Sequence, residues 1–402
     1  MARAFEGVRV VEFAQVISGP MAASLLGFLG ADVIKVETPG EGDQGRRMMD
    51  GGALAGKNMS TMFQGLNTGK RSLGLNLKHP GAREVVRRLV AQSDVVIENL
   101  RPGVMTGLGY DYAAVREMRE DIIFCSISGF GQTGPMKGAA AYDGAVQAAS
   151  GMMLVNGAPG QGPLRVGFPV VDAAAGMTAA FAVASALYRR AQTGEGQYLD
   201  VGMLDAALSL MSPVVNSYLI AGAAPAQMGN MSVTGQPTAN VFPVADGFLQ
   251  ITALTAAQLR ALWAAAGRPE MADDPRMATV EAQAANAADI RDVLIECLRE
   301  LGVAEWVERL GAAGVPCSPV LSLPQALAQE QLAYRDALTP VENPLGVEGM
   351  APAVVNAAFM ATPDGPRGST AAPLVGQDTD HVLAELGYSD TEIEALRQAG
   401  VV

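Results

Sequence analysis

"VRVVEFAQVISGPMAASLLGFLGADVIKVE", residues 8–37, is the stretch whose reading settles the fold class. Its opening run, residues 8–13, is valine-rich and reads as a strand. A loop with Gly19-Pro20 follows, then a helical segment through about Leu29, then a second strand in "ADVIKVE" (31–37). Outward from there the alternation repeats: "SLGLNL" (72–77), a helix over about 80–92, "DVVIEN" (94–99), a helical stretch, and "DIIFCSIS" (121–128). Strand, helix, strand in this order predicts an α/β protein with a parallel sheet and right-handed crossovers, half of a doubly wound fold. The turn after the first strand, "AQVISGP", lacks the GxGxxG of a dinucleotide site, which argues against a nicotinamide or flavin enzyme.

Past residue 150 the texture changes twice. A long helix follows Asp172, "TGEGQYLDVGM" (193–203) turns into a strand, and a helix is expected over about Leu204 to Ala221. "AQMGNMSVTGQPTAN" (226–240) is a loop by composition, and "VFPVADGFLQITA" (241–253) carries a hairpin signal at Asp246-Gly247. Three helical windows and a strand in "GVPCSPVLS" (314–322) complete a smaller α+β unit. The chain ends in two helices, the second opening at a capping box of Ser389 and Glu392. The expected organisation is therefore a large Rossmann-like domain in 1–200, a linker helix in 201–224, a small α+β domain in 225–330, and a return to the large domain in 331–402.

A net charge of −13 disfavours nucleic acid, but it is unevenly spread. Residues 1–200 hold 19 basic and 18 acidic residues, whereas 201–402 hold 9 and 23, and all five lysines lie in the first half. A polyanionic ligand would find its cations there. Cys125, Cys297 and Cys317 are widely spaced without CxxC, which fits a reducing cytoplasm. His79 and His381 are far apart, so neither zinc nor Ser-His chemistry is expected, and no metal site is. The uncharged stretches Phe13–Ala31 and Ala206–Ala245 are broken by Pro, Gly and Asn, and read as buried elements rather than membrane spans.

In "FPVVDAAAGM" (168–177) one acid, Asp172, stands before sixteen uncharged residues. A carboxylate in such a seam is costly unless it caps a helix, is paired, or is chemically useful. Local sequence favours an N-cap at the start of a long apolar helix.

Several runs, in order, resemble the class III CoA-transferases, the group that includes formyl-CoA transferase. They are "EFAQVISGPMAASLLGFLGADVIKVE", "NTGKRSLGLNLKHPGA", "VVIENLRPGVMTGLG", "SISGFGQTGP", "YDGAVQAASGMM", "VVDAAAGM" and "RAQTGEGQYLDVGMLDA". The resemblance implies an interlocked homodimer. It also implies acyl-CoA and a small carboxylic acid as substrates, with no permanently bound cofactor. Asp172 matches the family's nucleophile, and Tyr142-Asp143 a Tyr-acid pair near the reacting centre. Lys70, Arg71, Leu75, Asn99, Leu100, Arg101 and Met105 match the CoA groove, with Lys78, Arg46 and Arg47 as further phosphate candidates. Ile17 stands where the formyl-CoA transferases carry a Gln over the reacting centre, and "GNMSVTGQPTAN" lacks their glycine-rich flap. Both departures point to an acid larger than oxalate. Two rivals remain on sequence: an α-methylacyl-CoA racemase, whose His is replaced here by Tyr142, and a non-catalytic CoA-binding protein.

Overall fold

The computed structural model describes residues 3–49, 51–368 and 370–402. The chain folds as two compact units, the larger from 1–150, 167–216 and 330–402, the smaller from 151–166 and 217–329. The larger unit opens with β1 (Arg9–Glu12), α1 (Ser18–Gly27), β2 (Asp32–Glu37), α2 (Thr61–Asn67) and β3 (Arg71–Gly74). It continues through α3 (Ala82–Ala91), β4 (Val95–Glu98), α4 (Val104–Leu108), α5 (Tyr112–Met118), β5 (Ile123–Ser128) and α6 (Asp143–Ala149). After α7 (Met152–Val155), which belongs to the smaller unit, come α8 (Val170–Thr193), β6 (Gln197–Gly202), α9 (Met203–Leu210) and α10 (Ser212–Ala221).

The six strands form one parallel sheet in the order β3-β2-β1-β4-β5-β6, as the strand–helix alternation predicts. The order reverses between β1 and β4, which opens a crevice at their carboxyl ends. Val11, Ile34, Val96 and Phe124 from the strands pack with Val86 and Leu89 of α3 in the main core. The last residues of the chain close it. A short antiparallel pair, β10 (Leu338–Pro340) with β11 (Ala353–Val355), precedes two terminal helices over Thr379–Glu385 and Asp390–Gln398, and Leu386, Ile393 and Val401 enter the same core. The Ser389–Glu392 capping box is present.

The smaller unit is a three-stranded antiparallel sheet, β7 (Ala239–Val244), β8 (Gly247–Thr252) and β9 (Cys317–Pro319), with helices packed on Phe242, Leu249, Trp263, Leu294 and Trp306. One expectation needs correcting. The helix foreseen over 204–221 is two helices bent by 80°, because Pro213 cannot donate to the preceding turn. Irregular backbone leads into α8 at Val170.

α8 is long and apolar enough to cross a membrane by composition, yet it packs against α1, β5 and β6 as a core helix. Gly176 permits the approach, since a Cβ there would lie 2.8 Å from the Ser18 carbonyl oxygen.

Around the carboxyl ends of β1 and β2 and the start of β3 the larger unit buries three acids and three bases: Glu12, Glu37, Asp43, Lys35, Arg46 and Lys70. Lys35 Nζ donates to Glu12 Oε1 (2.8 Å) and the Ala14 carbonyl (2.7 Å), and lies 2.9 Å from Asp43 Oδ2. Lys70 Nζ donates to Glu12 Oε2 (2.7 Å), Pro20 O (2.9 Å) and Asn67 Oδ1 (2.9 Å). Arg46 makes a two-point contact with Glu37, at 2.7 Å on each side, beneath the Phe63 ring. Buried charge is tolerated here because every ion has a counter-ion and further hydrogen bonds.

Candidate active site

A cavity of about 210 Å³ opens at the carboxyl ends of β1, β4, β5 and β6, over the crevice where the strand order reverses. Asp172 lines it. The carboxylate belongs to the third residue of α8 and is half-buried. Burial first, and the negative charge of Asp143 second, push it up to about 6, while the Ser18 hydroxyl on the same cavity wall pulls the other way. Among the described residues no Lys or Arg pairs with it. At neutral pH it is an ionised, poorly solvated carboxylate, which is what a nucleophile requires.

Asp172 does not cap its helix. The N-cap position is Pro169, which offers no side-chain acceptor. Asp143, buried at the start of α6, does that work: its Oδ2 accepts the N–H groups of Val171 (2.8 Å) and Asp172 (3.3 Å). Its Oδ1 accepts from Gln147 Nε2 at 2.6 Å. Asp143 therefore fixes the first turn that carries Asp172 and also raises the proton affinity of that carboxyl. Tyr142, beside it, is exposed and lines the cavity.

The opposite wall is the turn after β1. Asn99, just past β4, ties it down: Oδ1 accepts from Gln15 N (2.8 Å), and Nδ2 donates to Gln15 O (2.8 Å) and Ser18 Oγ (3.2 Å). Ser18 lines the cavity together with Asp172, and its hydroxyl oxygen accepts from Asn99. Val16, also in the wall, sits at φ 67°, a left-handed conformation rare for a β-branched residue. Ser128 ends β5 on the same cavity, and its buried hydroxyl has no hydrogen-bond partner among the described residues.

The remaining sequence-selected residues fall into two groups. Asn99, Leu100 and Arg101 line the Asp172 cavity, and Arg101 also borders a neighbouring cavity of about 240 Å³ where Met105 lies. Arg101 is exposed; its carbonyl accepts from Val104 N, but among the described residues its guanidinium has no ionic or hydrogen-bond partner. Ile17 is the N-cap residue of α1 and half-buried; its neighbours Gln15, Val16 and Ser18 face the cavity instead.

Lys70 and Arg46 are enclosed in the buried charge cluster, not turned to solvent for a phosphate. Arg71 is held by Asp32 and Glu385, and Leu75 is a core residue. Lys78 is exposed, and Arg47 donates to Glu41 O and Asn58 Oδ1. Neither histidine lines the Asp172 cavity.

Sequence reasoning missed Ser18, Gln44 and Ser128 in that cavity, and Glu98 in the neighbouring one. Glu98 is buried and pushed up to about 7 by that burial, despite the Ser126 hydroxyl and a hydrogen bond from the Leu100 N–H, which pull the other way. Ser18 carried a faint signal, a serine opening a helix, but nothing in the sequence says that its hydroxyl would serve Asp172.

A parallel α/β sheet with a half-buried carboxylate at its reversal point has the layout of a small-molecule site, and comparison with known proteins gives the family. The chain belongs to CoA-transferase family III, whose profile matches residues 5–379. It is 32% identical over 402 residues to the human succinyl-CoA:glutarate CoA-transferase, covering 99% of this chain and 89% of that protein. It is 31% identical to the formyl-CoA:oxalate CoA-transferase of Streptomyces coelicolor, over the whole of both chains. The crystal structure of a CaiB/BaiF family protein from Brucella suis superposes with a TM-score of 0.83 at 31% identity, covering 96% of this chain and all of that one. This is a class III CoA-transferase, an enzyme that moves CoA between acyl-CoA thioesters and carboxylic acids.

Proposed function

We propose that CoA moves through covalent intermediates on Asp172, and that the acceptor is a dicarboxylic acid larger than oxalate. An Asp172 carboxylate oxygen attacks the thioester carbonyl; the new C–O bond forms, the C–S bond breaks, and CoA leaves as the thiolate. The thiolate then attacks the aspartyl carbonyl carbon of the mixed anhydride, releasing the donor acid as its carboxylate and leaving an aspartyl-CoA thioester. The acceptor carboxylate attacks that thioester and expels the thiolate. The thiolate finally takes the acyl group from the second anhydride and regenerates Asp172. Each step exchanges one activated acyl bond for another, so covalent catalysis divides the barrier. The observation that carries this reading is the half-buried Asp172, without a counter-ion, facing a cavity at the strand-order reversal.

In this reading Tyr142 borders the reacting groups, Asp143 holds the nucleophile's helix, and Arg101 is the free cation for a CoA phosphate or the far carboxylate of the acceptor. Asn99, Leu100 and Met105 frame the CoA groove, and Gln15 and Val16, rather than Ile17, line the wall over the reacting centre. The named relatives act on glutarate and oxalate, which supports a dicarboxylic acceptor. A cytoplasmic homodimer completes the reading. Phe181 and Tyr188 on α8 and Leu219 and Ile220 on α10 are each at least 70% exposed, apolar surface of the kind a second copy would cover.

The test is intact-protein mass spectrometry after incubation with acetyl-, succinyl- and glutaryl-CoA, followed by peptide mapping. A CoA-sized, hydroxylamine-sensitive adduct on the peptide holding Asp172, absent in Asp172→Ala, is expected. No adduct, together with solvent deuterium entering the acyl α-carbon, would overturn the reading in favour of racemisation.

A further inference from the structure

The turn between β1 and α1 is fixed from beneath by a pair of charges that never reach the cavity. Asp43 is 2% exposed and Lys35 fully buried. Both oxygens of Asp43 accept from the Val16 N–H, Oδ1 at 3.1 Å and Oδ2 at 3.3 Å, and Oδ1 also accepts from Gly45 N at 2.7 Å. Oδ2 meets Lys35 Nζ at 2.9 Å, and the same ammonium donates to the carbonyl of Ala14. Asp43 is itself oriented by its own N–H, which donates to Glu37 Oε2 at 2.8 Å.

The residue held this way is Val16, at φ 67°. A β-branched side chain resists that region, so the conformation persists only where surrounding bonds impose it. It matters because α1 opens two residues later. Ser18 starts that helix and lines the cavity together with Asp172, where α1 and α8 approach closely. Were Val16 to relax to a negative φ, the chain would leave the turn in another direction and carry Ser18 away from Asp172. Asn99 fixes Gln15 and Lys35 fixes Ala14, but only Asp43 among the described side chains holds the N–H of Val16 itself.

We propose that Asp43, oriented by Lys35, is a positioning residue for CoA transfer: it imposes the left-handed turn at Val16 that aims Ser18 at Asp172. This rests on the reading that Asp172 is the nucleophile. Asp43 touches no substrate and acts through Ser18.

The experiment is single-turnover labelling of Asp172 by acetyl-CoA or succinyl-CoA, whichever labels the wild-type protein, followed by mass spectrometry across pH. Asp43→Ala is expected to slow labelling about 10- to 100-fold, the usual cost of displacing a reacting group by about an ångström. Ser18→Ala should slow it similarly, and the double variant should be no slower than the worse single. Both variants should also move the pH midpoint of labelling upward, since Asp172 then faces the charge of Asp143 without the Ser18 hydroxyl beside it. A general loosening of the fold would lower the rate without moving that midpoint.

Val16→Gly added to Asp43→Ala should recover at least a third of the lost rate, because glycine adopts the turn without being forced. Asp43→Asn keeps an amide oxygen for Val16 and should stay within tenfold of wild type; it serves if the alanine variant does not fold. Additive losses, an unmoved midpoint, or no recovery with Val16→Gly would overturn the proposal while leaving Asp172 as nucleophile. Wild-type protein that takes no label from either thioester would overturn the nucleophile reading, and this assignment with it.

Discussion

Asp43 and Asp172 lie on opposite sides of one turn, residues 14–18, and burial pushes both carboxyls upward. For Asp43 the Lys35 ammonium and the backbone N–H groups override that push and hold it below the usual carboxylate range. For Asp172 no cation answers, the next carboxylate adds to the push, and the group rises to about 6. The difference separates two uses of buried charge. Around β1–β3, three acids and three bases cancel and the ions serve structure. Beside β4–β6, Asp172 and Glu98 have no cationic partner among the described residues, and their proton affinity rises to a range useful for chemistry at neutral pH.

The hardest blow to this contrast would come from Lys35→Met, which leaves Asp43 buried without a cation and Glu12 with only Lys70. Breaking a buried ion pair by removing one partner costs about 3–5 kcal/mol. Urea unfolding at pH 7 should show a loss of that size. A loss under about 1 kcal/mol would mean that water already reaches the cluster, and the distinction between the two regions would fall.

Asp172→Asn sharpens the other side. The folded carboxyl titrates near 6 against an ordinary value of 3.8, so between those limits the folded state binds more protons than the unfolded one. Stability from this group is then fully present below about pH 4 and lost as pH rises through 6. Discounted for partial exposure, the loss is about 2 kcal/mol. The asparagine variant lacks the titration, so its stability relative to wild type should rise by about that amount between pH 4 and pH 7.5. A flat difference would show that Asp172 is better solvated than its position implies.

How much of this the sequence discloses follows the same line. The sheet is legible because its strands and helices alternate over short distances, and the hairpin at β7–β8 because its two-residue turn is local. Partners distant in sequence are not legible. Lys70 resembles a phosphate ligand until Glu12, 58 positions earlier, is seen to hold it. Asp172 resembles an N-cap until Asp143, 29 positions earlier, is seen to take that part. Arg46 looks solvated in a loop of Gly and charged residues, yet Phe63 and Pro373 O enclose it. The bend at Ser212-Pro213 was visible in the proline and was read through. The family resemblance reached Asp172 by motif; only the fold supplies Ser18, and with it the reason for the close approach of α8 to α1.

That approach can be probed with a smaller effect. A Cβ on Gly176 would lie 2.8 Å from Ser18 O and 3.0 Å from Met21 Cβ. Overpacking of this kind costs about 1–3 kcal/mol, while Gly to Ala inside a helix returns about 1 kcal/mol. Gly176→Ala should therefore lose about 1 kcal/mol in the urea midpoint and slow labelling of Asp172, because α8 must back away from Ser18. A stabilised variant would show the contact to be slack.

The smallest effect belongs to Ser128, which tests whether the unpaired character of this wall extends beyond carboxylates. Its hydroxyl is buried without a partner, so folding strips it of water and returns no hydrogen bond. Ser128→Ala removes one oxygen from a site 8% exposed and leaves too small a gap to matter much. The lost penalty should outweigh the lost packing by about 0.5 kcal/mol, and the thermal midpoint of the ligand-free enzyme should rise slightly. A fall instead would mean that an ordered water satisfies the hydroxyl in solution, and the wall beside Asp172 would then be wetter than the turn that faces it.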